Sequence, residues 1–181
     1  MTTLPAGVVP VALERRDAEA LWALDRLCFP GDVAFCLGTF RQLLRDRRHL
    51  GFRLGGRAGP AATTVASAAA AAPTPVAFVM ALREAASADI VTLDVHPEHR
   101  RRGLGRALLR HLHATLRRTG AQEVTLQVAE DNTGARQLYL SEGYAAVGVA
   151  RGYYGDRGDA VLMRLALREP PGDPAAAVGE R

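Results

Sequence analysis

The chain has no lysine. All 23 of its strong cations are arginines, set against 19 acidic residues, which leaves a formal net charge of +4 at pH 7. A Walker phosphate loop, which needs a lysine, is thereby excluded. Cysteine is almost as scarce. Cys28 and Cys36 are too few for a disulfide framework, and their spacing fits no metal-ligand pattern. The sequence therefore predicts reduced thiols in a cytoplasmic protein and no metal. Aromatic residues make up 6% of the chain, which leaves few rings to stack on nucleic-acid bases. Long apolar runs are missing as well: none approaches the roughly 20 residues needed to span a bilayer. Met1-Thr-Thr-Leu-Pro5 has no basic region followed by an apolar core, so no secretory leader and no membrane partner are expected.

What is present suffices for one domain. The 181 residues are 48% hydrophobic, enough to bury a core. The domain is expected over residues 8–168, with a low-complexity loop at 55–75 rich in Ala, Thr, Gly and Pro and a disordered tail at 169–181. Ala18, Leu21, Leu24 and Cys28 recur at helical spacing and predict a helix over Asp17–Phe29, stopped by Pro30-Gly31. A short helix follows at Thr39–Arg45, then strands at Leu50–Leu54, Val76–Arg83 and Asp89–Val95.

The most informative stretch begins where that last strand ends. Val95-His-Pro-Glu-His-Arg100-Arg-Arg-Gly103-Leu-Gly105-Arg106 is a β-rich run passing through a basic, Gly-rich turn into an amphipathic helix, Leu104–Arg118. First-turn N–H groups have no intrahelical partner, and the helix dipole adds positive charge there. Gly103 and Gly105 let the backbone approach an anion closely. The pattern is built for a pyrophosphate. A dinucleotide fingerprint would need a third glycine where Leu108 stands. Seven arginines between Arg100 and Arg118 invite a nucleic-acid reading, but the pyrophosphate turn needs cations itself and no stacking aromatics stand beside it. Nucleic acid is not expected as the primary partner.

Arg100-x-x-Gly103-x-Gly105 after a strand resembles the coenzyme A signature of the GNAT acyltransferase superfamily. The chain beyond it fits the same pattern. A helix C-cap at Gly120 leads to a strand, Glu123–Val128, and to Asn132-Thr-Gly-Ala-Arg-Gln-Leu-Tyr139, a helix capped by Asn132 and stopped at Gly143. Val128-x-x-x-Asn132, Leu138-Tyr139, Gly143-Tyr144 and Arg151-Gly-Tyr153-Tyr154 resemble the RimI type, enzymes that acetylate protein N-termini. The resemblance covers residues 88–167 and is faint before them. It implies an α/β GNAT fold: a mixed, mostly antiparallel sheet, splayed at its centre to admit acetyl-CoA and flanked by helices.

The resemblance also implies roles. The N–H groups of Arg101, Arg102, Gly103, Leu104, Gly105 and Arg106 would hold the pyrophosphate, with arginine side chains, Arg100 included, adding charge-assisted bonds. Leu93, Asp94 and Val95 would run beside the pantetheine arm, an N–H near Val95 would polarise the thioester carbonyl, and Asn132 would reach the cofactor from the other side. Tyr139 is the family's proton donor to the departing thiolate; on residues alone it reads equally as a core aromatic. Phe29, Pro30, Tyr153 and Tyr154 would grip the acceptor, or close the end of the sheet.

One position departs from the pattern. Where the RimI strand carries a glutamate as general base, this chain has Gln127, and an amide cannot deprotonate an ammonium. Water ordered by Gln127, a neighbouring group (Asp89 foremost, then Asp94 or His96), or no base at all remain open. A free α-amine titrates near 7.7–8.0 and is partly neutral already, which suits an N-terminal acceptor better than a lysine. The expected activity is transfer of acetyl to a primary amine by direct attack in a ternary complex. A protein N-terminus is the preferred acceptor, and a small-molecule amine or a catalytically impaired CoA-binding sensor are the alternatives. Monomer and homodimer both stay open.

Overall fold

The computed structural model describes residues 9–29, 31–55 and 75–167. Pro30, nearly all of the expected 55–75 loop and the expected 169–181 tail lie outside them. The elements are β1 (Val11–Ala12), α1 (Ala18–Cys28), α2 (Leu37–Leu43), β2 (His49–Gly55), β3 (Pro75–Arg83), β4 (Ser87–Val95), α3 (Leu104–Arg118), β5 (Glu123–Ala129), α4 (Thr133–Ser141), β6 (Ala145–Ala150) and β7 (Ala160–Ala166). The strands form one sheet in the order β1-β2-β3-β4-β5-β7-β6. Every neighbouring pair is antiparallel except β4 and β5, which run parallel. This is the expected α/β GNAT fold.

Each face of the sheet has its own core. On β3, Ala77, Val79 and Ala81 point to one side and Phe78 and Met80 to the other, as the two-residue period of a strand requires. The first side packs on α3 through Leu104, Leu108, Leu109, Leu112 and Leu116, a stripe at helical spacing. The second packs on α1 and α2 through Leu21, Leu24 and Phe40. At roughly 25 cal/mol per Å² of apolar area removed from water, the two buried faces supply the main drive to fold.

Helix ends follow local chemistry. The expected Asp17–Phe29 helix begins one residue late because Asp17 closes a short turn over Arg15–Asp17. Its carboxylate accepts from the Glu14 N–H at 2.8 Å and lies 3.3 Å from the buried Arg53 guanidinium. The second helix starts at Leu37 rather than Thr39 because Cys36 caps it, its Sγ accepting from the Thr39 N–H at 3.4 Å.

Two irregularities position the site. Registers Met80↔Thr92 and Ala81↔Ile90 leave Val91 without a partner on β3, a bulge that reverses which face the following residues present. Ala88 and Ile90 therefore face α3, whereas Leu93 and Val95 take over that side after the bulge. Thr92 and Asp94 are turned toward α1. The second irregularity is the parallel pairing of β4 and β5, which stops at Ile90↔Leu126 while both strands continue. The sheet opens there.

Candidate active site

The opening leads into a cavity of about 1070 Å³ bounded by the far halves of β4 and β5, the turn before α3, one side of α4 and the C-terminal end of α1. A volume of that size accepts a large, extended ligand. The β4 backbone presents hydrogen-bonding groups to it. His96 N–H turns back to the Val76 carbonyl on β3, so Val95 N–H and C=O point the other way. The Val95 carbonyl accepts from Arg100 Nε at 3.1 Å and Cys28 Sγ at 3.3 Å.

The turn before α3 is a ready anion site. Gly103, the N-cap, has φ 78°, and Arg101 adopts φ 61°, a left-handed conformation that costs a non-glycine residue roughly 1 kcal/mol or more. The N–H groups of Arg101 through Arg106 find no acceptor among the described residues. The first turn of α3 has no acidic residue to compensate the helix dipole. Gly105 lies against α4 and β4: a Cβ there would sit 3.3 Å from Leu138 Cδ2 and 3.5 Å from Val95 Cγ2.

The arginines of this turn are not equivalent. Arg106, expected to reach a phosphate, borders the cavity and also ties the turn to α4: its guanidinium lies 2.9 Å from Glu142 and donates to Ser141 Oγ at 3.0 Å. Arg100 is held by the Val95 carbonyl. Arg101 lines the cavity beside Gly103, Leu104 and Gly105, and Arg102 is not on its wall.

Asn132 caps α4, its Oδ1 accepting from the Ala135 N–H at 3.1 Å, and it borders the cavity. Tyr139, seven residues on, is almost wholly buried and stacks edgewise on Tyr144 with ring centroids 5.5 Å apart. Tyr139 lines the cavity, and its hydroxyl meets no protein partner among the described residues. Burial raises its pKa, with Asp94 and Tyr154 adding to the effect, so the phenol keeps its proton at neutral pH.

The acidic candidates separate clearly. Asp89 was expected where the strands open, but it lies in the paired half of β4 opposite Thr125. Its carboxylate accepts from Thr125 Oγ1 at 2.7 Å and Gln127 Nε2 at 3.3 Å, and it is not on the cavity wall. Gln127 is on that wall, one residue past the last paired position. Asp94 is also there, 1% exposed, but it faces α1 rather than the strand gap. There it neighbours Asp25, a fully buried carboxyl of α1 that lines the same cavity. Thr92 Oγ1 donates to Asp94 Oδ1, and the Phe35 N–H donates to Asp25 Oδ2 at 2.8 Å. Burial pushes both pKa values up, Asp94 well above the carboxylate range.

On the acceptor side, Phe29 and Tyr154 line the cavity, with Val33 and Phe35 beside them. Tyr153 is 53% exposed and touches the site only through Tyr154, ring centroids 4.9 Å apart. Burial, then Asp94, raises the Cys28 pKa to about 11, so this thiol stays protonated and is no nucleophile.

The fold and sequence have counterparts among known proteins. Residues 19–144 match the Acetyltransferase (GNAT) family. The N-alpha-acetyltransferase RimI of Mycobacterium tuberculosis is 33% identical over 172 residues, 94% of this chain and 99% of that protein. The [ribosomal protein bS18]-alanine N-acetyltransferase of Escherichia coli is 37% identical over 83 residues, 44% of this chain; the match spans 56% of that relative's length. The crystal structure of the ribosomal-protein-S18-alanine N-acetyltransferase from Escherichia coli superposes with a TM-score of 0.75 at 26% identity, covering 92% of this chain and 97% of that one. The chain belongs to the GNAT acetyltransferase family.

Proposed function

We propose that this protein transfers the acetyl group of acetyl-CoA to the α-amine of a protein N-terminus, in a ternary complex and without an acyl-enzyme. The observation that carries this reading is the parting of β4 from β5 directly above a turn of unpartnered N–H groups. A thioester arm fits alongside the freed edge of β4 as an added strand, and its pyrophosphate fits the turn. Likeness to an N-alpha-acetyltransferase over 94% of the chain supports the acceptor class.

The residues suit the ligand. The N–H groups of Arg101 through Arg106 hold the pyrophosphate, Arg101 adding charge, while Arg106 and Arg100 brace the turn from α4 and β4. Leu93 and Val95 flank the pantetheine, and the Val95 N–H polarises the thioester carbonyl. Asn132 holds the start of α4 against the arm. The amine attacks the carbonyl carbon, the new C–N bond forms as C–S breaks, and Tyr139 gives its proton to the departing sulfur. Phe29 and Tyr154 enclose the first residues of the acceptor, apolar bodies with one polar tip suited to an extended backbone.

The test is intact-mass analysis of peptides incubated with acetyl-CoA, starting with an alanine N-terminus because the Escherichia coli relative is named for that substrate. Free CoA released in step with an acetylated α-amine supports the reading. Release without peptide modification sinks it.

A further inference from the structure

We propose that the Asp25–Asp94 carboxyl pair is the proton acceptor of the site, receiving the proton that the attacking amine must lose. This rests on the acetyl-transfer reading above. The need is plain: Gln127, at the position where a RimI-type enzyme carries its base, has no proton affinity at neutral pH, and Asp89 lies behind it, bonded to Thr125 and off the cavity wall.

The pair borders the cavity on its α1 side, the side of Phe29 and Phe35 where the acceptor is placed above. The Val91 bulge turns Asp94 out of the α3 core and onto the face shared with α1. There Asp25 meets it one turn before Cys28. Both carboxyls border the cavity, and each keeps one oxygen, Asp25 Oδ1 and Asp94 Oδ2, without a protein donor. Neither forms an ion pair among the described residues. An orphaned, buried carboxylate oxygen is costly, and two in mutual reach cannot both be ionised cheaply. One shared proton satisfies both oxygens and leaves the pair a single negative charge, as in other carboxyl dyads.

That charge is poised to accept. The groups facing it are Thr92 from β4, Cys28 from α1, Arg100 from the turn and Tyr139 from α4. Arg100 is the one cation among them, and it spends its Nε proton on the Val95 carbonyl. Burial raises both carboxyls, and the neighbouring Asp25 raises Asp94 further, toward the pKa of an α-amine and so toward the match that general-base catalysis favours. In the forward step an ammonium N–H proton passes to the ionised member, directly or through one water, and the freed lone pair attacks. After the C–N bond forms, the nitrogen sheds its second proton to solvent, the sulfur takes one from Tyr139, and the neutral pair returns its extra proton to water as Tyr139 is reprotonated. The balance is one amine proton exchanged for one acetyl group and one proton released to solvent.

The experiment is the pH profile of kcat/KM for an N-terminal peptide in wild type, Asp94→Asn and Asp25→Asn, with CoA affinity measured in parallel. Asp25→Asn keeps an acceptor for the Phe35 N–H, and its amide donates to Asp94. Wild type is expected to show an acid limb above the carboxylate range. Asp94→Asn is expected to lose about 100-fold in kcat at neutral pH, regain part of it as pH rises through the amine's own ionisation, and bind CoA as wild type does. Asp25→Asn relieves the repulsion on Asp94 and moves the acid limb to lower pH. That shift decides the matter alone if Asp94→Asn does not fold. Wild-type profiles in both folded variants, or an unmoved limb in Asp25→Asn, overturn the proposal. Wild type that binds CoA but modifies no peptide would refute the acetyl-transfer reading itself, a different outcome from an unmoved limb.

Discussion

Gln127 Nε2 donates to Asp89 Oδ1 at 3.3 Å across the last paired turn of β4 and β5. The amide thus bridges a cavity-wall position and a carboxylate that cannot itself reach the cavity. A glutamate in its place would set two carboxylates against each other, and repulsion would raise the pKa of the one on the wall. Gln127→Glu is therefore expected to leave the rate at pH 6 unchanged and to increase it several-fold at pH 8. In the Asp94→Asn background the gain should reach about tenfold, because a lost base is then being replaced. Steady-state pH profiles of both variants check this. An identical profile with and without the carboxyl would place position 127 outside the proton path.

Tyr139→Phe removes one hydroxyl that has no protein partner and leaves the buried ring on Tyr144. Folding and CoA affinity are expected to stay close to wild type while kcat falls on the order of 100-fold. Calorimetric CoA binding beside turnover checks it. An equal fall in affinity would make Tyr139 a packing residue.

At the turn, Gly103→Ala and Gly103→Asp separate strain from charge. Both meet the cost of a Cβ at φ 78°, about 1 kcal/mol. The carboxylate alone also repels a pyrophosphate. CoA affinity should drop severalfold in the first and at least 100-fold in the second, with similar melting temperatures. Equal CoA affinities in the two would refute the phosphate assignment.

Away from the site, His113 Nε2 and the Tyr144 hydroxyl lie 2.8 Å apart in the core. Burial lowers the His113 pKa to about 4. In the unfolded chain it titrates near 6.5, so between those values the unfolded state binds a proton that the folded state refuses. The contribution is fully present above about pH 6.5 and is lost as pH falls toward 4, on the order of 3 kcal/mol. Urea titrations at pH 7 and pH 4.5 should show His113→Gln losing less stability on acidification than wild type. Parallel losses would mean that His113 is protonated in the fold.

The order of elements and the Gly-rich turn into α3 are legible in the sequence because each has a local cause. Gly103 is needed for a left-handed N-cap, Leu104 to Leu116 keep one helical stripe, and Asn132 and Gly143 punctuate α4. The candidate site residues are less legible where tertiary structure decides. Alternation along β4 places Asp89 and Asp94 on opposite sides of a bulge that the sequence does not announce. Asp25 reads as a polar position on an amphipathic helix, and only the packing of α1 on β4 reveals it as a buried carboxyl. The pairing of Arg106 with Glu142 is not legible either, because the two stand 36 positions apart.

The most direct measurement is mass analysis of peptide N-termini and free polyamines incubated with acetyl-CoA and the protein. The protein has no lysine and so contributes no side-chain amine background. The account predicts acetylation of peptide α-amines, with CoA released in equal amount and polyamines unmodified. Acetylated polyamines with untouched peptides, or tight CoA binding with no transfer at all, would contradict it.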